Sequence, residues 1–155
     1  MPISYYGKTK LLAEKYILTN KSKIIPCIGR IFSFTSKKQQ KSFIIPSIIL
    51  KLKNSNKKIN FHNLNHDRDF LPIKHVVKAI KILSTKRAKG IFNICSGEKT
   101  NLQNLTLKLN HKFKKHIEFS GNDKSSILFG CNRKKSTLGW KPNNLSYSKI
   151  VLRDI

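Results

Sequence analysis

A chain of 155 residues, 39% of them hydrophobic, is long enough for one domain with a real core, in which roughly 70% of the unfolded surface is buried, and too short for two. Its 32 Lys and Arg against 7 Asp and Glu leave a net charge of +25, which draws nucleic acid and other polyanions nonspecifically. The lysines are spread along the chain together with many Asn and Ile, a bias of A/T-rich coding sequence, so the charge is read mainly as solvated lysine faces. No apolar run approaches the roughly 20 residues of a membrane span, the N-terminus has no apolar signal segment, and Cys27, Cys95 and Cys131 are odd in number and without ligand spacing. A cytoplasmic protein with reduced thiols, no metal site and no membrane contact is expected.

Ser4 is a plausible N-cap for a helix over 5–19, where Leu11, Leu12, Lys15 and Tyr16 keep a helical period that ends near Asn20. The Ile-rich stretch from Ile24 to Phe32 reads as a buried strand with Pro26 at its start. After a polar loop from Ser36 to Lys41, apolar residues from Ile44 to Leu52 recur at helical spacing, with Pro46 in the first turn. Short strands are expected at Ile59–Phe61 and Arg68–Ile73. A helix follows from His75 to Ser84, with Val76, Val77, Ile80 and Leu83 on its apolar stripe. Gly90–Cys95 reads as a strand, and Thr100 with Gln103 forms a capping-box pattern for a helix from Asn101 to about Phe113, with Leu102, Leu105 and Leu109 on one face. This alternation predicts an α/β domain with parallel strands.

Tyr6 and Lys10, four residues apart, fall on one face of the first helix. An ammonium beside a tyrosine stabilises its phenolate, which suits the pair to acid-base work on a sugar oxygen. Tyr5 has Thr9 at the corresponding position and lacks the lysine. By itself the four-residue spacing is equally compatible with a surface pair.

The run from Pro2 to Glu14, P-x-S-x-Y-G-K-T-K-x-x-x-E, resembles the active-site helix of the extended short-chain dehydrogenase/reductases. Downstream blocks RIFSFTSKKQ (30–39), FIIPSIILKL (43–52), NLNHDRDFLPIKHVVKAI (63–80), IFNICSGEKTNLQNL (91–105) and LGWKP (138–142) follow in that family's order. The segments F-x-I-P-S and N-L-x-x-x-R-D-F are most similar to the GDP-4-keto-6-deoxymannose reductases and their epimerase/dehydratase relatives.

The resemblance implies the C-terminal part of a Rossmann-type doubly wound sheet plus a small substrate-binding α/β region, with residues 1–35 carrying the catalytic helix and next strand and 36–155 mainly the substrate-binding region. It implies Tyr6 as catalytic acid or base and Lys10 as its partner, both also contacting an NAD or NADP cofactor, and a nucleoside diphosphate sugar as substrate. Ser33 stands where relatives carry Asn against the sugar nucleotide, and Phe43, Ile45 and Pro46 match the segment beside the base, although their periodicity suits plain core equally. Arg68 matches the arginine that pairs with the substrate diphosphate; an ion pair with Asp67 or Asp69 is the alternative. His75 replaces the usual Asp and reads as structural.

Gly29, Gly90 and Gly97 are isolated, so no glycine-rich turn is present to cradle a dinucleotide pyrophosphate. The expectation is a fragment or split-gene product with Met1 as an internal start, inactive unless a separate chain supplies the N-terminal half. A basic binding protein without catalysis and a decayed gene product are the competing readings. The face carrying Leu11, Leu12 and Tyr16 suits either a homodimer contact or burial within the chain.

Overall fold

Helix α1 (Tyr5–Thr19) begins and ends where its sequence signals lie. In this computed structural model, which describes residues 2, 4–20, 25–56, 58–131 and 138–140, Ser4 is extended and its Oγ accepts the Gly7 N–H at 3.1 Å. At the other end the Asn20 side-chain amide donates to the Tyr16 carbonyl at 2.9 Å. No residue of α1 is buried. A two-pronged ion pair fastens the helix to strand β1 (Cys27–Ile31), with Arg30 Nε donating to Glu14 Oε2 at 2.8 Å. The Arg30 hydrogen bonds hold the Glu14 carboxyl below its ordinary range.

Pro26 precedes β1, and its carbonyl accepts the Gly90 N–H at 2.9 Å. β1 runs parallel to β6 (Gly90–Ile94), with Cys27 opposite Gly90 and Ile31 opposite Ile94. The expectation of a buried strand fails here: of its five residues only Ile28 is partly covered. Among the described residues β1 pairs along one edge alone, so its other edge and most of its side chains stay open. Phe32 donates to Ile94 at 3.0 Å, and the chain then passes into β2 (Ser33–Thr35), parallel to β5 (Phe70–Pro72).

The polar loop leads to α2 (Ile44–Asn54), whose Pro46 lies in the first turn, where no intrahelical N–H bond is needed. β3 (Ile59–His62) pairs parallel with β8 (Ile117–Ser120). β4 (Asp67–Arg68) lies between β7 (Thr100–Asn101), antiparallel, and β9 (Ile127–Leu128), parallel. β8 and β9 have no counterpart in the sequence-based expectations. They are only four and two residues long, too short to carry a pattern of their own, and their partner strands define them.

α3 (Ile73–Thr85) buries His75, Val76, Ala79 and Leu83, while Val77 and Ile80 are exposed. The apolar stripe is therefore rotated from the expected one, because small Ala79 can approach the sheet. Burial, reinforced by Lys74 and Lys78, pushes the His75 imidazole below the usual histidine range. α4 (Leu102–Phe113) is capped by Asn101, whose Oδ1 accepts the Asn104 N–H at 3.1 Å. Thr100, the expected cap, is instead extended in β7 opposite Arg68.

Two hydrophobic clusters meet at β5. Ile45, Ile48 and Leu52 of α2 pack with Ile59, Phe61, Phe70, Leu102, Leu105 and Leu109, whereas Leu71 joins Val76, Ala79, Leu83, Phe92, Ile94 and Trp140. Phe70 and Leu71 thus send neighbouring side chains to opposite faces of one strand, as the pleat requires. No helix among the described residues is long and apolar enough to cross a membrane.

Candidate active site

α1 sets Tyr6 and Lys10 side by side, with the Lys10 Nζ 5.3 Å from the centre of the Tyr6 ring. Tyr6 is 73% exposed, so the residue is open to a reactant. Tyr5 has its own cation, Lys8, at 5.4 Å, a neighbour that the four-residue rule overlooked. Both tyrosines therefore face an ammonium, and cation proximity does not separate them. The ion pair of Glu14 with Arg30 ties this helix to β1, and β1 continues through Phe32 into Ser33.

Ser33, Phe43 and Ile45 line one cavity of about 160 Å³. Phe32, Phe34, Gln39, Ile44 and Phe70 complete its wall, so the lining is aromatic and aliphatic apart from Ser33 and Gln39. Such a lining suits a flat ring with a few polar groups at its edge. Ile45 is buried and belongs to the core while also lining the cavity. Gln39 and Ile45 also border a neighbouring groove of about 390 Å³, lined by Lys37, Lys41 and Lys53 and by no carboxylate. Tyr6, Lys10 and Arg68 are not among the residues lining either space.

Arg68 sits on β4, two residues before Phe70. Its Nη1 donates to the carbonyls of Asp67 at 2.9 Å and Ser126 at 3.0 Å, and its Nη2 to Ser126 Oγ at 2.9 Å. It pairs with neither adjacent carboxylate among the described residues. Asp67 accepts the Asn101 side-chain amide at 3.1 Å. Asp69, 1% exposed, accepts backbone N–H groups from Ser96 at 2.6 Å, Gly97 at 2.8 Å and Gly130 at 3.3 Å. A buried carboxylate met by three donors is well satisfied. It pins the turn before β7 and the segment after β9 to the strand carrying Arg68, whose guanidinium has no acidic partner among the described residues. Sequence reasoning treated Asp69 only as a rival ion-pair partner; the alternating Asp-Arg-Asp run was the available signal, since alternation along a strand sends Arg68 and Asp69 to opposite faces.

The family model for GDP-mannose 4,6 dehydratase matches residues 1–144. The chain belongs to this family. Solved structures with the same fold include RMD from Pseudomonas aeruginosa complexed with NADPH (21% identity, TM-score 0.82, covering 99% of this chain and 57% of that one). Others are dTDP-glucose 4,6-dehydratase from Bacillus anthracis in complex with NAD (17% identity, TM-score 0.82, 99% and 51%) and UDP-N-acetylglucosamine 4-epimerase from Methanobrevibacter ruminantium in complex with UDP-N-acetylmuramic acid (16% identity, TM-score 0.83, 97% and 52%). No curated protein matches the chain by sequence. The family member described here spans about half the length of these structures and corresponds to the C-terminal half of their Rossmann-type fold, within the extended short-chain dehydrogenase/reductases.

Proposed function

We propose that the chain is the substrate-side part of a cytoplasmic, NAD(P)-dependent nucleotide-sugar epimerase, dehydratase or reductase that acts at C4 of a nucleoside diphosphate sugar. The observation that carries this is the convergence of Ser33, Phe43 and Ile45 on one largely aromatic cavity in a member of this family. The base and adjacent sugar lie against that cavity, the lysine groove beside it favours an anionic ligand, and Arg68 takes the diphosphate through guanidinium edges directed away from Ser126.

Tyr6 exchanges a proton with the C4 oxygen, and Lys10 beside it contacts the cofactor ribose. The nicotinamide, when bound, supplies hydride transfer at C4. The 155 residues fit only that end of the cofactor: an open Tyr6–Lys10 pair is present, but no glycine-rich turn for the pyrophosphate. Turnover accordingly uses a glycine-rich half joined in cis or supplied by a separate chain.

Steady-state kinetics on the completed enzyme test the assignment. Tyr6→Phe is expected to lower kcat roughly 100- to 10,000-fold with little change in KM. Arg68→Ala raises KM, and Tyr5→Phe changes little. Equal damage from Tyr5→Phe and Tyr6→Phe would refute the catalytic role of Tyr6.

A further inference from the structure

We infer that His66 is a positioning residue for Arg68: its neutral imidazole holds Ser126, and Ser126 holds the guanidinium. The inference rests on the diphosphate role proposed for Arg68. His66 immediately precedes β4, and its backbone is fixed on both sides. Its N–H donates to the Leu64 carbonyl at 2.8 Å, and its carbonyl accepts the Leu102 N–H at 3.0 Å. Nδ1 of the ring lies 3.1 Å from both the backbone nitrogen and Oγ of Ser126.

A backbone N–H can only donate, so Nδ1 is the unprotonated ring nitrogen and Nε2 carries the hydrogen. The Ser126 hydroxyl then donates to His66 and turns its lone pairs toward Arg68 Nη2, 2.9 Å away. The Ser126 carbonyl accepts from Arg68 Nη1 and from the Asp67 N–H at 2.9 Å. Donation therefore runs from Arg68 through Ser126 to His66.

Protonation of His66 reverses its end of this chain. Nδ1–H would meet the Ser126 N–H donor to donor, leaving that N–H unpartnered and adding a positive charge near the guanidinium. The charged groups on packed elements are Asp67 and Arg68 on its own strand, Asp123 and Lys124 on the Ser126 segment, and Glu98 and Lys99 on the turn into β7. The first turn of α4 carries no charge.

Calorimetric titration of the full chain with GDP-mannose, UDP-glucose and dTDP-glucose, at about pH 8 and about pH 5, tests this. These diphosphates are esterified at both ends and keep their charge over that range. Wild-type affinity for the sugar nucleotide that binds best is expected to fall severalfold on acidification. His66→Asn, whose Oδ1 can accept from Ser126 in place of Nδ1, keeps the alkaline affinity and loses the pH dependence. His66→Phe weakens binding about three- to tenfold at both pH values. Nitrogen NMR of the unliganded chain reads the tautomer independently of any variant's folding, and a protonated Nδ1 near neutral pH overturns the inference. Tighter binding on acidification overturns it in favour of direct anion contact by the imidazolium. If Arg68→Ala weakens binding and His66→Phe does not, the inference alone fails; if no sugar nucleotide binds, or Arg68→Ala has no effect, the diphosphate role of Arg68 fails with it.

Discussion

α1 and α4 are built from similar local signals, with side-chain caps at Ser4 and Asn101 and leucines at helical spacing, yet α4 buries Leu102, Leu105, Thr106 and Leu109 while α1 buries nothing. Capping and periodicity decide that a helix forms; the surfaces available to it decide what it buries. α4 finds α2 and β3 on its apolar face. Among the described residues α1 is linked to the sheet by the Glu14–Arg30 ion pair, and it presents Tyr5, Tyr6, Leu12 and Tyr16 to solvent. The part that shapes the proposed substrate cavity is thus packed into the core, and the helix proposed to do the chemistry is the less anchored element.

Truncation separates the two helices most sharply. Leu109, fully buried, should cost about 2 to 5 kcal/mol of unfolding free energy as Leu109→Ala, whereas Leu12→Ala, at a 64% exposed site, should stay within about 0.5 kcal/mol. Denaturant unfolding of both variants checks this, and comparable losses would mean that α1 has a packing partner.

Asp69→Asn is the next largest. An amide has one acceptor oxygen for three N–H donors and turns its own NH2 toward one of them, so stability should fall by about 3 kcal/mol. Thermal unfolding provides the measurement. A neutral outcome would show that the three donors find other partners.

The smallest effect concerns the attachment of α1. The folded-state value of Glu14 is depressed, so its contribution is present above the ordinary glutamate range and is lost as pH falls through the folded value. Arg30 is partly exposed, which limits the pair to about 1 kcal/mol or less. Protection factors of the α1 amides, which allow for the intrinsic slowing of exchange in acid, should fall on acidification and in Glu14→Gln at neutral pH, while those of α4 hold.

How much was legible follows the same division. The helices were readable because caps and apolar periods lie within each segment, and Pro46 and Ser4 mark boundaries by their own chemistry. The exposure of β1 was not, because an Ile-rich run looks the same whether one edge or two are paired. Thr100 was a chemically sound cap, but pairing of β7 with Arg68 made it extended and moved the cap to Asn101. At the site, Ser33, Phe43 and Ile45 were found together through the family's motifs. Phe34 and Gln39 were missed although they lie between Ser33 and Phe43, because no spacing rule shows which residues of a strand and loop face a cavity; Phe70 was missed because it reaches the cavity from a strand distant in sequence. The hold of Ser126 on Arg68 spans 58 positions, beyond the reach of any local pattern.

Calorimetric titration of the full chain against a nucleoside diphosphate sugar and, separately, against NAD and NADP tests the central claim most directly. The account predicts sugar-nucleotide binding that Arg68→Ala weakens, and no useful affinity for either dinucleotide, because these residues include the proposed base cavity and diphosphate arginine but no phosphate-cradling turn. Micromolar binding of NAD or NADP, on the order of −8 kcal/mol, together with no sugar-nucleotide binding, would contradict it.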